Sequence, residues 1–139
     1  MIILDTNVFS EMMRESPAPN VVFWLRQQRA DSIFITAITV AEILAGIALL
    51  PEGRRRSDLA NGAWRMFNEE FVRRTLPFER TAAEAYASIL AGRARIGKPM
   101  PELDAQIAAI ASAHQMKVAT RNVRDFVDCG IEIIDPWTV

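Results

Sequence analysis

Short apolar runs alternate with helix-length stretches from one end of the chain to the other, and this alternation constrains the fold more than any other feature. Met1 to Leu4, Ser32 to Ile35, Lys117 to Thr120 and Ile131 to Ile134 have the pattern of strands buried on both faces. Thr75 to Phe78 is weaker; its proline makes it an edge strand or a connector. Between them lie helical stretches over Thr6 to Arg14, from Pro19 onward, Ala37 to Leu50, Glu52 to Arg74, Thr81 to Ile96, and Glu102 to Gln115. Such alternation predicts an α/β fold: a central, mostly parallel sheet with helices on both faces, a three-layer α/β/α sandwich.

At 139 residues the chain has room for one domain, and no proline- or glycine-rich stretch is long enough to divide it, so 1–139 reads as a single unit. Half the residues are apolar and 24% are charged, which excludes a disordered or collagenous chain. The lone Cys129 cannot form an internal disulfide, which favours a reducing compartment. No apolar run reaches bilayer length, and Met1-Ile2-Ile3-Leu4-Asp5 lacks the basic start of a signal peptide, so the expected location is cytoplasmic, without a membrane. A net charge of −1 argues against bulk attraction to nucleic acid but leaves room for a local site.

Ligands in open α/β sheets bind outside the carboxyl ends of the strands, and acids stand there. Asp5 follows the first run; alone, it reads first as a helix N-cap. Glu42 lies in the apolar stretch Thr39-Val40-Ala41-Glu42-Ile43-Leu44-Ala45, where a carboxylate is either on a solvated stripe or paired or ligated. Asp104 opens an alanine-rich helix, a position the helix dipole favours and Glu102 shares. As a set, the three would repel unless a hard divalent cation joined them. Oxygen donors suit Mg²⁺ or Mn²⁺, whose characteristic chemistry is displacement at phosphorus by an activated water. Thr6, Asn7, Thr120 and Asn122 fit groups that orient carboxylates or a phosphate, and each fits turn chemistry as well.

Other chemistries lack their residues. One histidine and one cysteine make neither a Ser-His-Asp site nor a zinc cage. A dehalogenase-like phosphatase needs a second Asp where Asn7 stands. A receiver-like phosphoacceptor domain, the main alternative, wants paired acids after the first strand and a lysine after the last, and neither is present.

The segments Ile3-Leu4-Asp5-Thr6-Asn7-Val8, Thr36 to Ile43, Asp104 to Ala111, Val118 to Phe126 and Asp135-Pro136-Trp137 resemble the PIN-domain ribonucleases, specifically the VapC-type, FitB-like toxins of type II toxin–antitoxin modules. The resemblance spans the whole chain. It implies a PIN-like fold and a Mg²⁺- or Mn²⁺-dependent endoribonuclease. Asp5 and Asp104 would be the most direct metal ligands, with Glu42 ligating directly or through water. It also implies a homodimer, an RNA substrate and a cognate antitoxin, a small DNA-binding protein that covers the acidic crevice. Related chains often carry a fourth acid where Asn122 stands; Asp125, three residues on, either substitutes for it or caps a short helix. Neutralising Asp5, Glu42 and Asp104 takes the formal charge from −1 to +2. Arg54-Arg55-Arg56, with Lys98 and Arg121, then either meets a phosphate backbone or, for the arginine run, forms a solvated helix start. Val22, Phe23, Trp24, Leu25, Trp64, Met66 and Phe67 supply apolar material for partner contacts or for the core.

Overall fold

The computed structural model describes residues 1–139. Five strands, β1 (Ile2–Leu4), β2 (Ile33–Thr36), β3 (Thr75–Leu76), β4 (Lys117–Ala119) and β5 (Ile133–Ile134), form one sheet in the order β3-β2-β1-β4-β5. Every neighbouring pair is parallel. Ile2 and Ile3 face Ile33 and Phe34 on one side and Lys117 and Val118 on the other. Of the two readings of the weak segment at Thr75, edge strand or connector, the structure shows the edge strand. This order departs from the 2-1-3-4-5 arrangement of receiver-type sheets and so disfavours the phosphoacceptor alternative.

Seven helices flank the sheet: α1 (Thr6–Met12), α2 (Pro19–Arg26), α3 (Ala37–Ala48), α4 (Arg54–Arg65), α5 (Arg80–Arg95), α6 (Glu102–His114) and α7 (Val123–Phe126). The pleat sends alternate residues to opposite layers. Ile2, Leu4, Ile33 and Ile35 pack with Val8, Phe9, Val21 and Trp24 from α1 and α2. Ile3 and Val118 pack with Ile107, Ala108, Ile110 and Ala111 of α6 and with Phe126. Small alanines let α6 approach both the sheet and α5, and four of them are fully buried.

The stretch from Glu52 to Arg74 is not the single amphipathic helix its apolar spacing suggested. Helix α4 gives way to a π-helical turn at Met66–Glu70, closed by Phe71 N–H donating to Met66 O at 2.8 Å. The inward stripe runs through Leu59, Ala63 and Phe67, at i, i+4 and i+8. Trp64, one position further round, therefore points outward and is 59% exposed. Phe67 stacks on Phe9 at 5.2 Å and Phe71 packs against the same ring at 6.0 Å. Trp24 is likewise core, whereas Phe23 is exposed.

Strand order reverses between β1 and β4. The chain leaves β1 for β2 on one side and reaches β4 on the other, so the carboxyl ends of β1 and β4 border the crevice where such sheets bind ligands. No helix is long and apolar enough to cross a membrane.

Candidate metal-binding active site

Asp5 occupies the end of β1, and its N-cap reading holds. It is the N-cap of α1, with Thr6 N–H donating to Oδ1 at 2.7 Å. Its backbone N–H also extends the sheet by donating to Ala119 O at 2.9 Å. The other oxygen, Oδ2, accepts Thr120 Oγ1–H at 2.7 Å and Asn7 Nδ2–H at 3.2 Å. Thr120 Oγ1 in turn accepts from Asn122 N–H at 3.0 Å and from Asn7 Nδ2 at 3.3 Å. The Asn7 carbonyl receives Arg121 N–H at 3.2 Å. The carboxylate is almost wholly buried, and burial pushes its pKa up against the lowering effect of these donors.

Glu42 is half-buried and borders the exposed face of α3 that carries Ala41, Ala45 and Gly46. Helix α3 is capped by the Thr36 hydroxyl, which accepts from Thr39 N–H, and one turn later presents Thr39 and Glu42 to α1. Thr6 Oγ1–H donates to Glu42 Oε1 at 2.8 Å. Its single proton is thereby used, so at the 3.0 Å contact between the two hydroxyls Thr39 is the donor. The chain Thr39–Thr6–Glu42 fixes one carboxylate oxygen and leaves Oε2 free.

Asp104 stands in the first turn of α6 with no hydrogen-bond partner for either oxygen. Its pKa is pushed up to about 7, by burial first and then by the charges of Asp5, Asp125 and Glu42. Asp125 acts on Asp5 in the same sense. It lies within α7 rather than capping it, so the capping alternative does not hold; the N-cap position is Asn122, whose side chain makes no capping bond.

Asp5, Thr6, Asn7, Glu42, Asp104 and Asn122 line one crevice of about 420 Å³ that contains no hydrophobic residue. Thr120 lies beneath it and Asp125 contributes its field. No three His, Cys, Asp or Glu side chains are close enough to form a ready ligand cage. Four mutually repelling carboxylates do not close on one another by themselves. The donors that face the crevice are all oxygens, and Asp104 and one oxygen of Glu42 are unused. That set suits a hard cation such as Mg²⁺, which keeps much of its water and binds through one or two carboxylates.

Four further residues escaped the sequence reading. Thr39 sits three positions before Glu42 on the same helix face, a spacing that could have drawn attention to its hydroxyl. Ser10, Glu11 and Arg14 complete the crevice wall. Glu11 is 5% exposed and accepts from Arg14 Nη1 at 3.3 Å and Ala18 N–H at 3.0 Å. Of the proposed phosphate contacts outside the arginine run, Lys98 pairs with Asp128 at 2.9 Å and Arg121 lies over the Trp137 ring at 5.1 Å.

Residues 2–130 match the family model described as PIN domain. The chain is 39% identical over 137 residues to VapC ribonuclease Y4jK of Sinorhizobium fredii, covering 99% of this chain and 98% of that protein. It is 37% identical to Toxin FitB of Neisseria gonorrhoeae, covering 99% of each. The fold superposes on the structure of FitAB bound to an IR36 DNA fragment with a TM-score of 0.90 and 38% identity, covering 100% of this chain and 97% of that one. A parallel sheet with its acids at the β1/β4 crossover, matched along its whole length by these relatives, places the chain in the PIN-domain family, among its VapC- and FitB-like members.

Proposed function

We propose that this protein is a metal-dependent endoribonuclease and the toxin component of a type II toxin–antitoxin module. The observation that carries the reading is the polar crevice, free of hydrophobic residues, that brings Asp5, Glu42 and Asp104 to one wall from three separate elements. A Mg²⁺ or Mn²⁺ ion held by Asp5 and Asp104, with Glu42 direct or through water, would acidify a water and offset charge at a phosphodiester. The chain's own groups prepare that site. Thr120, Asn7 and the Thr6 amide keep Asp5 oriented and favour its ionised form. Thr39 and Thr6 aim Glu42. The Asn122 amide, in place of an acid, lines the crevice as a neutral group that can donate to a phosphate oxygen.

The partners follow from the same reading: an RNA substrate, a small DNA-binding antitoxin that covers the crevice, and a second copy of the chain, all acting in the cytoplasm as one PIN domain over 1–139. The FitAB assembly on DNA supports the antitoxin, and exposed Phe23 and Trp64 offer apolar contact area. The test is cleavage of RNA by the purified protein. Asp5→Asn should abolish cleavage and growth toxicity with an unchanged circular dichroism spectrum, and EDTA should silence the parent until Mn²⁺ or Mg²⁺ is returned. Cleavage by the Asp5→Asn variant at the parental rate, or cleavage indifferent to EDTA, sinks the reading.

A further inference from the structure

A second cleft, of about 730 Å³, adjoins the acidic crevice, and Ser10 and Arg14 line both. Its far wall is the start of α4, where Arg54 and Arg55 face it. Both arginines are exposed, and neither forms an ion pair. Glu15 and Asp58 also line the cleft and Arg14 is paired with Glu11, but Arg54 and Arg55 stand there as two guanidinium groups without an ion-pair partner. Arg54, Arg55 and Arg56 fill the first turn of α4 with no acid among them, an arrangement the helix dipole disfavours. Their position therefore has no helix-stabilising explanation. Arg14 is two-thirds exposed despite its bond to Glu11, so its remaining donors are open to a ligand.

We propose that Arg14, Arg54 and Arg55 form a binding track for the RNA backbone, holding phosphates beside the one presented to the acidic crevice. The inference rests on the nuclease reading for its substrate and adds where that substrate runs. The acidic crevice alone repels a polyanion. A neighbouring cationic cleft that shares its wall resolves this by anchoring flanking phosphates while the acids meet only the reacting one. Free guanidinium groups suit phosphate because they donate in a planar, bidentate fork.

The test compares the parent with Arg54→Gln/Arg55→Gln, using single-stranded RNA of about 12 nucleotides, within the span such strands occupy on a protein. Arg26→Gln/Arg95→Gln removes two exposed charges outside the cleft and controls for net charge. In EDTA, the slope of log affinity against log salt should fall by about 1.4 for the cleft variant, ~0.7 for each lost phosphate contact, and stay near the parental value for the control. With Mn²⁺, KM should rise about tenfold at moderate salt while kcat stays within about twofold, as expected when a phosphate contact made equally in ground and transition states is lost. Parental slope and KM in the cleft variant, with the parent cleaving RNA normally, overturn the track and leave the nuclease reading standing. A reduced slope in the cleft variant, with a parent that cuts no RNA, supports the track and fails the nuclease reading. If the cleft variant binds RNA normally but no longer retains its co-expressed antitoxin, the cleft belongs to that protein and the track is overturned.

Discussion

Thr120 Oγ1 donates to Asp5 Oδ2 at 2.7 Å, so a single hydroxyl joins the carboxyl ends of β1 and β4. The same oxygen accepts Asn122 N–H, which ties the loop after β4 to the end of β1. Removing the hydroxyl while keeping the shape isolates its role. Thr120→Val should cost about 1–2 kcal/mol of stability, because a buried carboxylate loses a donor. It should also weaken metal affinity or activity by about 10–100-fold. Paired urea melts and metal titrations of cleavage would check both; unchanged metal dependence would show that the hydroxyl serves the fold alone.

Asp104 makes the metal-free protein sensitive to pH. Its folded-state pKa lies near 7, above the ordinary carboxyl value, so the folded form holds a proton that the unfolded chain has already lost. The associated stability is fully present below about pH 4 and declines as pH rises through 7. Asp104→Asn should remove this decline. For a half-exposed group the gain at pH 8 in EDTA is discounted to ~1 kcal/mol, or roughly 3–4 °C in Tm. Thermal melts of parent and variant from pH 5 to 8 measure it, and parallel pH profiles would contradict the shifted carboxyl.

A bound divalent cation should reverse that penalty. Added to the metal-free parent at 100 times its Kd, Mn²⁺ should stabilise the fold by about 2.7 kcal/mol through mass action. The shift should shrink strongly in Asp5→Asn and Asp104→Asn. Equal shifts in all three proteins would place the ion elsewhere.

Arg93 is 3% exposed and meets no carboxylate; its guanidinium donates to the carbonyls of Lys98, Asp125 and Val127 at 2.7, 2.9 and 2.6 Å. It thereby pins the segment before α6, which carries Asp104, to α7, which carries Asp125. Arg93→Ala leaves those carbonyls without their donors and should destabilise by about 3–5 kcal/mol. Arg93→Lys should recover only part of this, since an ammonium cannot reproduce the fork. Chemical denaturation of the three proteins decides; a loss under about 1 kcal/mol in Arg93→Ala would mean that water replaces the guanidinium.

The five strands and the order of the longer helices between them were legible in the sequence, because strands buried on both faces must be short apolar runs and parallel neighbours need helical crossovers. So was the acidic set, since Asp5 ends an apolar run and Glu42 interrupts one. Tertiary structure decided which face of each helix turned inward. It buried Ala63 and exposed Trp64, because the 59–63–67 stripe, not residue size, faces the core around Phe9. It also decided that Thr39 serves Glu42 through Thr6, thirty-three positions away along the chain, and that Arg93 holds two distant loops. Periodicity records which residues share a face of one element; contacts between elements depend on how those elements cross, and no local spacing encodes that.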